Sequence, residues 1–254
     1  MHRSSLLKPV ALASLCALLV ACGKEAPSAT AAAPVVPGRT GTARITGSVV
    51  FEGVPPVPET VRVSSDSFCM KSHPEAMDKG DLVLGEGKTI ANVFVWVKEG
   101  VSGRYPVPAK PVALDQRGCQ YEPRVFGVMT GQGVTVHNSD ETLHNVHVAA
   151  KLNKPFNRAM HLANMQLDAK FEKAEVMVKI KCDVHGWMTS WMGVVPHPFF
   201  AVTGRDGAFA IEGLPSGTYT LEAWHERLGT RTLEVTLAEA EARTAPFSFT
   251  APAP

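Results

Sequence analysis

The sequence predicts an all-β protein built as two β-sandwiches, the second smaller than the first. Three observations lead there. Short runs of alternating apolar residues recur along the chain. Its 21 glycines and 19 prolines supply the turns between them. Asp206-Gly207 sits between two such runs, as a tight hairpin turn requires. Hydrophobic residues make up 45% and charged residues 19%, the balance of a chain that buries a core. A formal net charge of +1 excludes a broad basic surface for nucleic acid, which needs clustered Lys and Arg.

Residues 1–21 read as an export signal. Arg3 and Lys8 are basic, and Val10 to Val20 is apolar but too short to span a bilayer. Removing this segment leaves 23 basic residues against 24 acidic ones, a mature charge near −1. Residues 22–42 are rich in Ala, Pro, Ser, Thr and Gly without apolar periodicity, which predicts a flexible tether.

Strand signals begin with Ile45 to Phe51, inside an N-terminal β region at 43–89. Ile90 to Val97 follows, with Val93, Val95 and Val97 on one side; it opens the segment 90–197, expected to form the first sandwich. Gly133 to Val136 is another strand. In Glu175 to Cys182, Val176, Val178, Ile180 and Cys182 share one face. The segment 198–254 adds Phe200 to Thr203, Ala208 to Ile211, Gly217 to Trp224 and Thr232 to Leu237. Helix is expected at Arg158 to Gln166, and a single helical turn at Ala238 to Arg243.

Of five cysteines, Cys16 falls in the signal and Cys22 at its end. Cys69, Cys119 and Cys182 remain, in an oxidising compartment where disulfides persist. Cys69 and Cys119 are free to pair. The alternative joins Cys69 and His73 in a second metal site, for which no other ligand cluster flanks them.

The sharpest feature is metal-binding chemistry. Cys182-Asp183-Val184-His185-Gly186-Trp187-Met188 has the spacing C-x2-H-x2-M, and His144-Asn145-Val146-His147 stands upstream. One thiolate, two imidazoles and a thioether make the donor set of a mononuclear blue-copper site: trigonal His₂Cys with a long axial Met. Cys182 ends a strand, a tight loop returns His185 and Met188 to the same ion, and His144 comes from a distant strand. Met192 is the second choice for the thioether. Zinc is the rival metal, but its structural sites favour sets without Met. A binuclear copper site would want two cysteines in this loop. Trp187 and Trp191 cover the site, present an apolar docking patch or pack the sandwich. His137 is expected at the surface or between domains, and His161, His197 and His225 in structural roles.

At these residues the chain resembles the cupredoxins, the amicyanins most closely. The resemblance rests on the C-x2-H-x2-M loop and on Gly133-Val134-Thr135-Val136-His137-Asn138-Ser139-Asp140 leading to His144-Asn145-Val146-His147. It implies a Greek-key sandwich holding one copper through His144, Cys182, His185 and Met188. It places Asn145 outside the ligand set, its backbone amide on the Cys182 sulfur, and makes His147 a non-ligand. Gly186 stands where amicyanins have Pro. Residues Leu19-Val20-Ala21-Cys22 resemble a bacterial lipobox, which implies cleavage before Cys22 and lipid on its thiol. No Asp of the inner-membrane retention type follows, so a periplasm-facing anchor in the outer membrane is expected over the inner.

The stretch from Val202 through Asp206-Gly207, Phe209, Ile211, Gly213-Leu214-Pro215-Ser216-Gly217, Tyr219 and Leu221 resembles the carboxypeptidase regulatory-like β-sandwich, a fold grouped with carbohydrate-binding-like domains. About 50 residues are too few for its seven strands, so Gly47-x-Val49-x-Phe51-x-Gly53 is expected to complete it. No aromatic platform supports carbohydrate binding. The whole chain resembles exported bacterial proteins often labelled "methylamine utilization protein".

Two functions follow. The first is a lipid-anchored copper protein passing single electrons between periplasmic redox partners of the cytochrome or dehydrogenase type. The second is a binding module: copper storage or delivery, or glycan-binding adhesion with a structural metal. An enzyme is not expected, because four protein ligands leave no open position and no Ser/His/Asp set or carboxylate pair stands out.

Overall fold

The computed structural model describes residues 36–64 and 66–251. The export signal and Cys22 lie outside them. Strands dominate, and among the described residues no helix is long and apolar enough to cross a membrane.

One sandwich carries the candidate site. Its first sheet runs Phe156–Met160, His144–Ala149, Glu175–Lys181, Thr189–Val195, Val125–Met129. The second runs Gln166–Lys170, Gly133–Asn138, Val112–Arg117, Gln120–Glu122. Period-two alternation turns one side of each strand inward. Val146 and Val148, Val178 and Ile180, and Met192 and Val194 thus meet Leu114, Val134 and Val136 in one core. Each fully buried Val, Leu or Ile stabilises the fold by about 1.5–3 kcal/mol. Val112–Arg117 pairs in parallel with Gly133–Asn138, and Thr189–Val195 with Val125–Met129. Parallel neighbours cannot be joined by a tight turn, so the chain crosses between sheets to form them.

The second sandwich packs Ala208–Leu214 and Ala43–Phe51 over Phe200–Val202, Phe94–Glu99, Gly217–His225 and Gly229–Leu237. Ala43–Phe51 pairs antiparallel with Ala208–Leu214 and parallel with Ala242–Thr244 and Phe247–Phe249. The strand Phe94–Glu99, read from sequence with the 90–197 segment, instead pairs with Phe200–Val202 and Gly217–His225. Its two faces explain the difference. Val93, Val95 and Val97 fill the second sandwich's core. Phe94 points the other way, where its ring lies against the backbones of Gly127 and Gly193 of the first. Alternation predicts a strand; it does not say which sheet the strand joins.

Two helix expectations are corrected. Residues 158–166 contain no helix: Phe156–Met160 and Gln166–Lys170 are strands on either side of a turn. Asn157, Arg158 and Ala159 are exposed, and ladder bonds to His144–Ala149 satisfy the backbone that helix propensity competed for. Around 238–243 the chain makes a turn and enters Ala242–Thr244, held by pairing with Ala43–Phe51. Among the described residues the α-helix is Ser67–Ser72, capped by Asp66, whose side chain accepts from the Cys69 N–H at 2.9 Å.

Candidate metal centre

Antiparallel pairing of Glu175–Lys181 with His144–Ala149 sets Lys181 opposite His147. The end of one strand therefore lies beside the start of the other. Cys182, one residue beyond, continues the inward face of Val178 and Ile180, and His144 begins the inward face of Val146 and Val148. The loop then folds back. Cys182 N–H donates to Met188 O at 3.2 Å, and Met188 N–H to His185 O at 2.9 Å. The His185 N–H points at the Cys182 sulfur, 3.4 Å away. Asn145 pins the loop from beneath: its Oδ1 accepts from the N–H of Asp183 at 2.6 Å and of Val184 at 3.3 Å.

The donor atoms of His144, Cys182 and His185 lie within 4.8 Å of one another, and all three residues are buried. His144 Nδ1 and His185 Nδ1 are 2.9 Å apart, and Cys182 Sγ is 3.9 Å from His185 Nδ1. Donors bound to one ion at about 2.0–2.3 Å lie roughly 3–4 Å apart, so the three fit a single small cation. Met188 is buried in the same cluster of side chains. Met192 stands opposite Val178, four rungs from the Cys182 end, or about 13 Å along the strand. Met188, not Met192, is thus the thioether at the site's end of the sandwich.

The surroundings hold the site ionised. Burial opposes ionisation of Cys182, but hydrogen bonds from His144, His185 and the backbone amides of Asn145 and His185 outweigh it and bring the thiol to about 6. Burial also opposes a charge on His144, yet Asp140 and the thiolate raise it to about 9. His144 Nε2 donates to Asp140 Oδ2 at 2.9 Å, which turns Nδ1 toward Cys182 and His185. Asp140 is itself fixed by the N–H groups of Gly118 at 2.7 Å and Cys119 at 2.8 Å. These bonds offset its burial and keep its carboxyl below the usual range.

The outer side is closed by the N-terminal segment. Cys69 and Cys119 form a disulfide with Cα atoms 5.7 Å apart, and Cys182 is the free cysteine among the described residues. The alternative of a Cys69/His73 metal site is corrected: Cys69 is bonded to Cys119, and His73 Nε2 donates to Gly118 O. His185 Nε2 lies 3.6 Å from Asp66 Oδ2 and 3.7 Å from Cys69 Sγ. Asp66 also accepts from Thr142 Oγ1 at 2.7 Å.

Asp140 and Asp66 were missed from sequence. Asp140 carried a local signal, a carboxylate four residues before His144; Asp66 carried none, since its role depends on a contact across 119 positions. The remaining histidines sit elsewhere. His147 is half-buried and contacts Asp183 at 2.7 Å. His197 donates to Val97 O, His225 packs near Phe249, and His161 is exposed.

No protein-family model and no curated protein matches the chain. Solved structures similar to part of it include a copper-containing nitrite reductase from Thermus scotoductus (19% identity, TM-score 0.32, 39% of this chain and 25% of that one). A Cu(I) amicyanin variant is 22% identical with a TM-score of 0.31, over 35% of this chain and 85% of that one. A purple cupredoxin from Nitrosopumilus maritimus is 20% identical with a TM-score of 0.28, over 33% and 98%. The match spans a quarter of the nitrite reductase's length.

Proposed function

We propose that this chain is a mononuclear copper protein that passes single electrons between redox proteins outside the cytoplasm. One observation carries the reading: two imidazole nitrogens and a thiolate, buried and drawn from one strand and from the loop that follows another, converge within the span of one ion. Soft sulfur donors favour Cu(I), and imidazole accepts both oxidation states. Bound copper would supply the Cu(II)/Cu(I) couple. The protein's part is to hold the donors still: Asp140 orients His144, Asn145 pins the loop, and the Cys69–Cys119 disulfide and Asp66 close over His185. A fixed donor set resists rearrangement when charge changes, which suits a carrier better than a delivery protein that must open to release its cargo. With Met188 as the fourth ligand, the donor set would leave no position for substrate, which favours a carrier over an enzyme. We further propose a lipid anchor at Cys22, a periplasm-facing location at the outer membrane, and a cytochrome or dehydrogenase as partner.

Voltammetry of the full chain loaded with one copper tests the reading. A reversible one-electron couple is expected. An irreversible response, with Cu(I) bound tightly and no return wave, would turn the assignment to copper storage or delivery.

A further inference from the structure

We infer that Trp187 is the electron outlet of the site, a deepening of the electron-carrier reading above on which it rests. His144, Cys182, His185 and Met188 are each no more than 2% exposed, so no ligand edge reaches solvent. Electrons leaving the site must pass through whatever joins a ligand to the surface.

Around His144 the route is closed. Its outer nitrogen is bonded to Asp140, which is buried and holds backbone amides. Around His185 three groups are in reach. Asp66 is a saturated carboxylate arm at 3.6 Å. Cys69 lies at 3.7 Å, but both halves of its disulfide are fully buried. The third is the Trp187 indole, its ring centroid 5.1 Å from that of His185 and the planes 37° apart. Trp187 is partly exposed, and its Nε1–H donates to Cys119 O at 2.9 Å, which fixes the ring. Among the described residues it is the aromatic side chain that lies against a ligand ring and also reaches solvent, and a delocalised π system couples donor and acceptor better than saturated chain.

Trp187 opens into a cleft of about 660 Å³ that Trp191, Lys179 and Arg124 also line. Arg124 is paired to Glu226. Lys179 lies over the Trp191 ring at 5.4 Å, and none of the ion pairs among the described residues includes it. Glu59, Asp81 and Glu226 line the cleft too, paired with Lys79, Arg227 and Arg124, which leaves Lys179 as the cation in excess beside the aromatic edges. A small anionic oxidant therefore suits it as probe. Ferricyanide serves: one electron leaves the reduced protein, ferricyanide becomes ferrocyanide, and no bond or proton is exchanged.

The experiment compares the full chain with Trp187→Leu, Trp187→Phe and, as a control remote from the site, Trp96→Phe. Each is loaded with copper, reduced and mixed with ferricyanide in a stopped-flow instrument. Absorption spectrum, potential and fluorescence are read alongside. Trp187→Leu should slow oxidation several-fold with spectrum and potential unchanged. Trp187→Phe should fall between, and Trp96→Phe should match the parent. Copper loading should quench indole emission in the parent, and the quenched fraction should drop when Trp187 is replaced. Oxidation of Trp187→Leu at the parent rate would overturn the inference. So would slowing accompanied by a moved potential or lost copper, which would make Trp187 a support for the loop. A parent protein that forms no reversible copper couple fails one step earlier: it removes the electron-carrier reading and this inference with it.

Discussion

Replacing Asp140 with Asn probes how the site is held. The carboxylate accepts three hydrogen bonds, from His144 Nε2 and from the amides of Gly118 and Cys119. Asn keeps the shape but has one acceptor oxygen, and its NH₂ faces a donor. Two effects then compete. His144 loses the partner that selects its Nε2–H form, and loss of such a bond behind a ligand costs roughly 10–100-fold in metal affinity. Against this, Asp140 helps hold His144 at about 9, so near neutral pH a proton competes with metal for Nδ1. Two units of that competition at pH 7 amount to about 3 kcal/mol, or about 100-fold. Removing Asp140 relieves part of it. The outcome therefore depends on pH. In the parent, copper affinity should rise about tenfold per unit from pH 7 toward 9 as the His144 proton is lost. In Asp140→Asn the slope should be shallower, and above pH 9 the variant should bind about 10–100-fold more weakly. Competition titrations against a chelator of known affinity, from pH 6 to 9.5, measure both curves. Parallel curves, or equal affinity at high pH, would refute the argument that Asp140 sets the state of His144.

Other expectations follow from single contacts. Replacing both Cys69 and Cys119 by Ala should lower stability by roughly 4 kcal/mol, the loop-entropy value for the separation of 50 residues that the disulfide closes, read by denaturant unfolding. Burial, helped by Arg124 and Arg227, brings His225 down to about 4. The unfolded chain takes up that proton near pH 6.5, before the folded one does. Stability should therefore fall by about 3 kcal/mol between pH 6.5 and 4, and His225→Phe should flatten that part of the profile. A Cβ added at Gly193 would stand 2.4 Å from the Phe94 ring, which is fully buried. Gly193→Ala should cost about 1–3 kcal/mol by thermal unfolding, and Phe94→Leu in the same chain should recover part of it.

How legible was this molecule in its sequence? The strands were, wherever one face is apolar and the other polar, as in Glu175–Lys181. Spacing also pointed to Cys182 and His185, because a loop of fixed length between Cys and His is a local fact; His144 was picked out by its own His-Asn-Val-His motif upstream. What escaped was set by contacts across the chain. Phe94–Glu99 has strand periodicity, but its sheet is chosen by which glycines leave room for Phe94. Phe156–Met160 turns only its end residues Phe156 and Met160 to the core, with exposed Arg158 between them, and its pairing with His144–Ala149 sets it as a strand. Asp66, and with it the cover over His185, depends on a short helix folding back across the site, and nothing near residue 66 announces where that helix will lie.

Copper binding of this kind requires the Cys182 sulfur. Copper(II) added to the full chain should give an intense visible thiolate-to-copper band with narrow hyperfine splitting in its paramagnetic resonance spectrum, at one ion per chain, and Cys182→Ser should abolish the colour. A colourless copper(II) complex, or a band that survives loss of that sulfur, would contradict it.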